Sequence, residues 1–261
     1  MDIINQEKQE LHCHTTFSDG ANTPEEMVQT AIAMSLKRIG ISDHSYTFFD
    51  ERYCMPKSRI SEYMQAVHAL RRKYTEIEIL CGVEQDYFSK EPIDKYDYAI
   101  GSVHYLRLKG IESFCIPESI RYCDGFFYIP VDESEETIRF AAKHFYDNDI
   151  YALIEDYYET VSRQGDSGIH IIGHFDVIVK FNKDNKLFDP AHSRYTAAWK
   201  KAVRKILSAD NPPLFEINMS PVIRGLSKNP YPAPEIISYI RSEKGRLILT
   251  GDAHDVDSIL N

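Results

Sequence analysis

Short apolar runs alternate with amphipathic stretches along most of the chain. The series opens at Leu11-His12, behind a polar leader. Met27, Val28, Ala31 and Ile32 then recur at helical spacing. Ahead of them Thr23-Pro24-Glu25-Glu26 is a start signal, with Thr at the N-cap, Pro at the first helical position and Glu closing a capping box. Ile39-Gly40-Ile41 predicts a buried strand that runs into Ser42-Asp43-His44, and a second helix carries Ile60, Tyr63, Met64, Val67 and Leu70 on one stripe. Further strands are expected at Ile77 to Val83, Tyr98 to Val103, Ile169 to Gly173, Leu214 to Asn218 and Leu247 to Thr250. Helices are expected near His192 to Leu207 and Pro234 to Arg241. Residues 107–132 read as an irregular, lid-like insertion, since long connections in compact domains are usually functional. Ser134-Glu135-Glu136-Thr137 opens one long helical region reaching Ser162, its acidic start favoured by the helix dipole.

Alternating β and α segments imply an α/β protein with a parallel sheet. Seven such units suggest a closed or distorted TIM-like barrel, in which chemistry gathers at the C-terminal ends of the strands. No repeat or Gly/Ser linker divides the 261 residues, so one domain over 1–261 is expected. The last strand is followed by few residues before Leu260-Asn261; either the form is truncated or an earlier segment covers that part of the sheet.

Composition narrows the function. Five cysteines without a Cys-x-x-Cys pair argue against a disulfide framework or an all-cysteine zinc site. Cys13 lies between two histidines, yet in a strand its side chain points to the opposite face, so it reads as a small core residue. Thirty basic against forty acidic residues leave a formal charge of −10, which disfavours nucleic acid as a partner. No apolar run approaches the ~18 residues of a membrane span. The N-terminus has neither a basic nor an apolar signal region. A cytoplasmic enzyme acting on a small molecule is expected, with its oligomeric state open.

The chemistry is carried by polar clusters that close the apolar runs: His12-Cys13-His14 with Asp19, Asp43-His44, Glu84, His104, His174-Phe175-Asp176 and Asp252-Ala253-His254. Imidazole and carboxylate donors suit zinc, manganese or iron. One tetrahedral ion takes about four ligands, and His12, His14, Asp19, His44, Glu84, His104, His174, Asp252 and His254 exceed that, so a multinuclear hydrolytic centre is expected. His68 and His144 within helices, His170 near a strand start and His192 at a helix start read as structural.

His-x-His after the first strand, Ser-Asp-His, a lone Glu, Gly-Ser-Val-His, Gly-His-Phe-Asp and Gly-Asp-Ala-His follow in order over almost the whole chain. Together they resemble the PHP (polymerase and histidinol phosphatase) superfamily, with the monofunctional histidinol-phosphate phosphatases as the nearest branch. Asp19-Gly20, Ser134-Glu135-Glu136, Tyr157-Tyr158 and Pro230-Tyr231-Pro232 also look like that branch. The resemblance implies a distorted (β/α)7 barrel and three divalent ions. His12, His14, Glu84 and Asp252 would hold the first; Glu84, His104 and His174 the second, with Glu84 bridging; and Asp19, His44 and His254 the third. The implied reaction is hydrolysis of L-histidinol phosphate to L-histidinol and phosphate, in histidine biosynthesis. The alternative is a related phosphoesterase acting on nucleotides or nucleic-acid ends.

In such a centre a water between two ions is ionised near neutral pH and the phosphate oxygens are held in line. Glu84, Asp19, His254 and Asp176 are then the residues nearest the chemistry. Asp176 has two readings, orienting a ligand imidazole or capping a turn. Asn218, ending a strand, is open between substrate contact and cap. A dianionic phosphate calls for further cations; Arg224 is the first candidate, with Lys180 and Arg163 behind it. An imidazole-bearing substrate needs an aromatic wall or a carboxylate, and Phe114, Tyr122, Phe126 and Phe127 are available for the wall.

Overall fold

A computed structural model describes residues 8–110 and 116–260. Seven parallel strands form a nearly closed, distorted TIM barrel. In spatial order these are β1 (Gln9–Glu10), β2 (Arg38–Ile41), β3 (Glu78–Asp86), β4 (Tyr98–Ser102), β8 (Ile171–Ile172), β9 (Leu214–Asn218) and β10 (Leu247–Thr250). The first and last close through the segments just beyond them: His14 N–H donates to Ala253 O and Ala253 N–H to His12 O, both at 2.8 Å. The six later strands are present where expected, whereas the first is a two-residue ladder in the polar leader, just ahead of the expected Leu11-His12.

The helices follow the expected signals. α1 (Pro24–Ala33) starts with the capping box in place, Thr23 N–H donating to Glu26 Oε2 at 2.7 Å. α2 (Ile60–Lys73) packs its stripe on β3. α5 (Ser193–Leu207) is N-capped by His192, whose ring stacks on Tyr151. α6 (Ser220–Ile223) and α7 (Pro234–Ser242) lie between β9 and β10. No helix among the described residues is long and apolar enough to cross a membrane.

Three expectations are corrected. The described part of 107–132 is not irregular: β5 (Tyr105–Lys109), β6 (Arg121–Cys123) and β7 (Phe126–Pro130) form an antiparallel sheet with β7 in the middle. The long helix from Ser134 breaks into α3 (Glu135–Phe145) and α4 (Ile150–Ser162). Asp147 and Asn148 at φ 50° and 64° turn the chain there, and Asp149 caps the second helix. Finally, β3 passes to β4 without a helix, so the alternation lapses once.

Leu11, Leu80, Tyr98, Ile100, Ile171, Leu214 and Ile248 plug the barrel. Tyr98 fills the space left by two glycines; a β-carbon on Gly82 would come within 2.3 Å of its ring. The outward residues, Cys13 among them, join the larger core beneath the helices. The plug leaves the upper end of the barrel to polar side chains.

Candidate metal centre

Along β3 the inward positions run Leu80, Gly82, Glu84, so the period of two carries an ionisable side chain into the mouth above the plug. Glu84 is 1% exposed. Its Oε2 lies 2.8 Å from His44 Nδ1 and 3.4 Å from both His12 Nε2 and His14 Nε2. Its Oε1 lies 2.9 Å from His174 Nε2 and 3.4 Å from His104 Nε2, and accepts from Ser102 Oγ at 2.5 Å. One carboxylate thus meets imidazoles from the ends of four other strands. From beyond β10, Asp252 places Oδ1 3.3 Å from His14 Nε2 and 3.5 Å from His12 Nε2. Asp252 sits at φ 52°, a region a β-carbon disfavours. Asp19 completes the set, 3.7 Å from His14 Nδ1, 3.6 Å from His44 Nε2 and 3.5 Å from His254 Nε2.

Whether these residues suit a metal is tested by their unused donor atoms. Buried polar atoms nearly always have hydrogen-bond partners. Here His12 Nε2, both ring nitrogens of His14, Glu84 Oε2, His104 Nδ1, His174 Nδ1 and Asp252 Oδ1 have none. Three sets of donors lie within 4.8 Å of one another: His14, Asp19, His44 and His254; His12, His14 and Glu84; and His44, Glu84 and His104. Nitrogen and carboxylate donors with free lone pairs suit a borderline divalent ion, and the residues fit. One difference from the expected grouping concerns His44, which stands between Glu84 and Asp19 with one ring nitrogen towards each. His68, His144, His170 and His192 join none of these sets.

The groups set one another's charge. Burial opposes ionisation of Glu84, but His44, His12 and His104 outweigh it and hold the carboxyl well below its usual range. Burial opposes the charge on His12 as well, yet Glu216, Asp252 and Glu84 raise its pKa well above the ordinary value. His14 goes the other way: burial, with the cationic rings of His254 and His44 beside it, lowers it to about 3.

The sequence reading missed Glu216 on β9. It is fully buried, and its Oε1 lies 2.5 Å from His12 Nδ1 and accepts from Thr250 Oγ1 at 2.5 Å. Its Oε2 accepts from His174 N–H at 2.6 Å and from Asn218 Nδ2 at 3.1 Å. Of Glu216 and Asp176, it is Glu216 that meets a ring nitrogen of the clustered histidines. Asp176 Oδ2 instead accepts from Ala233 N–H at 2.9 Å, ahead of α7, and burial pushes its pKa up to about 7. Asn218 serves both carboxylates, its Nδ2 also reaching Asp252 Oδ2 at 3.1 Å. Glu10 was missed too; it accepts from His12 N–H and Gly251 N–H and ties the first and last strands together. For Glu216 the available signal was an acid inside a largely apolar parallel strand; Glu10, in a polar leader, offered none.

Above the donors lies an open cavity of about 430 Å³. Arg224 and Lys180 line it; Arg224 Nη2 is 2.8 Å from His254 Nδ1 and Lys180 Nζ is 3.6 Å from Asp132 Oδ2. Arg163 does not line it. It follows α4 and precedes β8, which places it at the N-terminal end of the barrel, where it pairs with Glu159. The aromatic wall is also different from the one expected. Tyr53, Tyr105 and Tyr231 line the cavity. Phe127 packs on Tyr122 and Phe145 in the core, and Phe126 faces Arg107. Phe114 lies outside the described residues.

Comparison with known proteins agrees with this fold. A Deinococcus radiodurans protein named "Probable histidinol-phosphatase" is 24% identical over 271 aligned positions, covering 93% of this chain and 85% of the relative. The DNA polymerase/3'-5' exonuclease PolX of Bacillus subtilis is 27% identical over 117 positions, 45% of this chain and 20% of that protein. Among solved structures, a Listeria monocytogenes protein assigned as a histidinol phosphatase superposes with a TM-score of 0.74 at 20% identity, covering 97% of both chains. The Lactococcus lactis histidinol phosphate phosphatase, solved with zinc, L-histidinol and phosphate, gives 0.64 at 19% identity, covering 95% of this chain and 87% of that one. The family pattern of the PHP domain matches residues 10–218, and the chain belongs to that family.

Proposed function

We propose that this chain is a metal-dependent phosphomonoesterase that hydrolyses L-histidinol phosphate to L-histidinol and phosphate. The observation that carries the reading is the set of buried, unpartnered nitrogen and carboxylate atoms beneath a cavity flanked by Arg224 and Lys180. The names of the Deinococcus and Lactococcus proteins support the choice of substrate.

In this reading three divalent ions (zinc, manganese or iron) are held as the family pattern implies. His12, His14, Glu84 and Asp252 take the first, Glu84, His104 and His174 the second, and Asp19, His44 and His254 the third. Bound there, they would supply a water ionised near neutral pH and charge for the phosphoryl oxygens. The chain's own work surrounds that chemistry. Glu84 has two oxygens and offers one to each side of the centre. Glu216 accepts from His12 Nδ1 and so keeps the Nε2 lone pair facing Glu84 and Asp252. Arg224 and Lys180 bind the phosphate, Arg224 from beside His254. Asp19 and His254 stand together at the open side, where the leaving alkoxide departs.

The stretch similar to PolX favours a second reading, a phosphoesterase acting on nucleotides or nucleic-acid ends. Against it stand the formal charge of −10 and the carboxylates Asp132 and Glu133 on the cavity lip, which repel a polyanion. The deciding experiment is phosphate release from L-histidinol phosphate, nucleotides and single-stranded DNA by protein of known metal content. Selective turnover of L-histidinol phosphate with about three ions per chain is expected; faster action on DNA would sink the proposal.

A further inference from the structure

The cavity lip carries two carboxylates that the proposed chemistry does not use. Asp132 and Glu133 are adjacent, between β7 and α3. Asp132 Oδ2 lies 3.6 Å from Lys180 Nζ, beyond β8, and Glu133 Oε2 lies 3.2 Å from Arg52 Nη2, beyond β2. All four residues line the cavity. Apart from the donors of the metal centre, Asp132 and Glu133 are the carboxylates among its described lining residues, and Arg52, Lys180 and Arg224 are its cations. Unpartnered Glu84 Oε2 and Asp252 Oδ1, one on a residue 1% exposed, belong to the same cavity and mark it as a binding site.

Each of the two pairs is partly exposed, with side-chain exposures of 27% to 44%, and pairs of this kind hold weakly. Arg52 is nonetheless fixed. Its Nε and Nη2 donate to Asp50 at 2.8 and 2.6 Å, and Asp50, buried, also accepts from Tyr105 Oη at 3.0 Å. That fork persists whether or not Glu133 stays, leaving a preformed guanidinium edge for an anion. A pocket meant for a phosphate on a neutral body gains nothing from two carboxylates, which repel the dianion.

Resting on the phosphatase reading, we propose that Asp132 and Glu133 are specificity residues for a phosphomonoester that also bears a cationic amine. The substrate's phosphate draws Lys180 and Arg52, and its amine takes the two carboxylates, so two weak internal ion pairs are exchanged for two with the substrate. No bond is made or broken in this exchange.

The test compares kcat/KM for L-histidinol phosphate and phenyl phosphate, which lacks an amine, in metal-loaded wild type and in Asp132→Asn/Glu133→Gln. The ratio of the two constants is expected to fall by about 10-fold or more, the scale of a lost charge-assisted hydrogen bond. Calorimetric binding of L-histidinol, a cation without phosphate, should weaken in parallel. An unchanged ratio in protein that turns over both esters overturns this inference and leaves the phosphatase reading standing. Wild type that turns over neither ester overturns the phosphatase reading, and this one with it.

Discussion

Glu216→Gln isolates a role that no ligand substitution can reach. The replacement keeps size and shape but turns one acceptor oxygen into a donor. If the amide nitrogen took the place of Oε2 it would face His174 N–H and Asn218 Nδ2, both donors, the first a backbone group that cannot turn away. It therefore takes the place of Oε1, facing His12 Nδ1 and Thr250 Oγ1. The threonine hydroxyl can rotate to accept. His12 can accept only by moving its proton to Nε2, the atom 3.4 Å from Glu84 Oε2 and 3.5 Å from Asp252 Oδ1. The nitrogen proposed to bind the first ion is then blocked. Loss of an orienting partner of a ligand histidine typically costs about 10- to 100-fold in metal affinity, roughly 1.4–2.7 kcal/mol. Titration of metal-free protein with zinc against a chromogenic chelator should show one equivalent weakened by that factor and the others close to wild type. Unchanged affinity at every equivalent, in a variant that melts like the wild type, would refute the tautomer argument.

Four other substitutions probe separate parts of the structure. Glu84→Ala should abolish phosphate release and remove at least one ion per chain, with a far-ultraviolet spectrum close to wild type; full metal content by atomic emission would contradict the bridging assignment. Arg224→Ala should raise KM for L-histidinol phosphate by about 10-fold or more, the scale of a charge-assisted hydrogen bond, while Arg163→Ala, at the other end of the barrel, leaves both constants alone. Gly82→Ala would bring a methyl group within 2.3 Å of the buried Tyr98 ring, and overpacking of this kind costs about 1–3 kcal/mol; an unchanged urea midpoint would show that the barrel plug yields more easily than its packing implies.

What could be read in the sequence and what could not divides along a physical line. Six of the seven barrel strands were legible, because a parallel strand buried on both faces is an apolar run, and so was the gathering of imidazoles and carboxylates, because a charge just past such a run must sit at the mouth; β1, Gln9–Glu10, is polar and left no such run. The second layer was hidden. Glu216 acts on His12 across 204 positions, and only the closing of the barrel sets β9 opposite the end of β1. Its one local trace is an acid flanked by Phe215 and Ile217, which spacing alone does not distinguish from a solvent-facing strand residue. The hairpin sheet was hidden for a related reason. Tyr105 pairs with Pro130 across a long, Gly- and Pro-bearing gap, so neither strand declares its partner. That pairing turns Phe127 into the core and, with the loops beyond β2 and β9, leaves Tyr53, Tyr105 and Tyr231 at the cavity. The break after Phe145 was the one local feature open to reading: Asp147-Asn148-Asp149 joins two residues tolerant of the left-handed region to a strong N-cap. Arg52 shows the same limit at the site itself. Its neighbours Asp50 and Tyr53 are local, yet what fixes its guanidinium is a carboxylate also held by Tyr105, and what makes it useful is a cavity assembled from several strand ends. A residue whose role depends on two elements distant in sequence leaves no periodic signal, and such residues are the ones here that surround the clustered imidazoles and carboxylates and line the cavity above them.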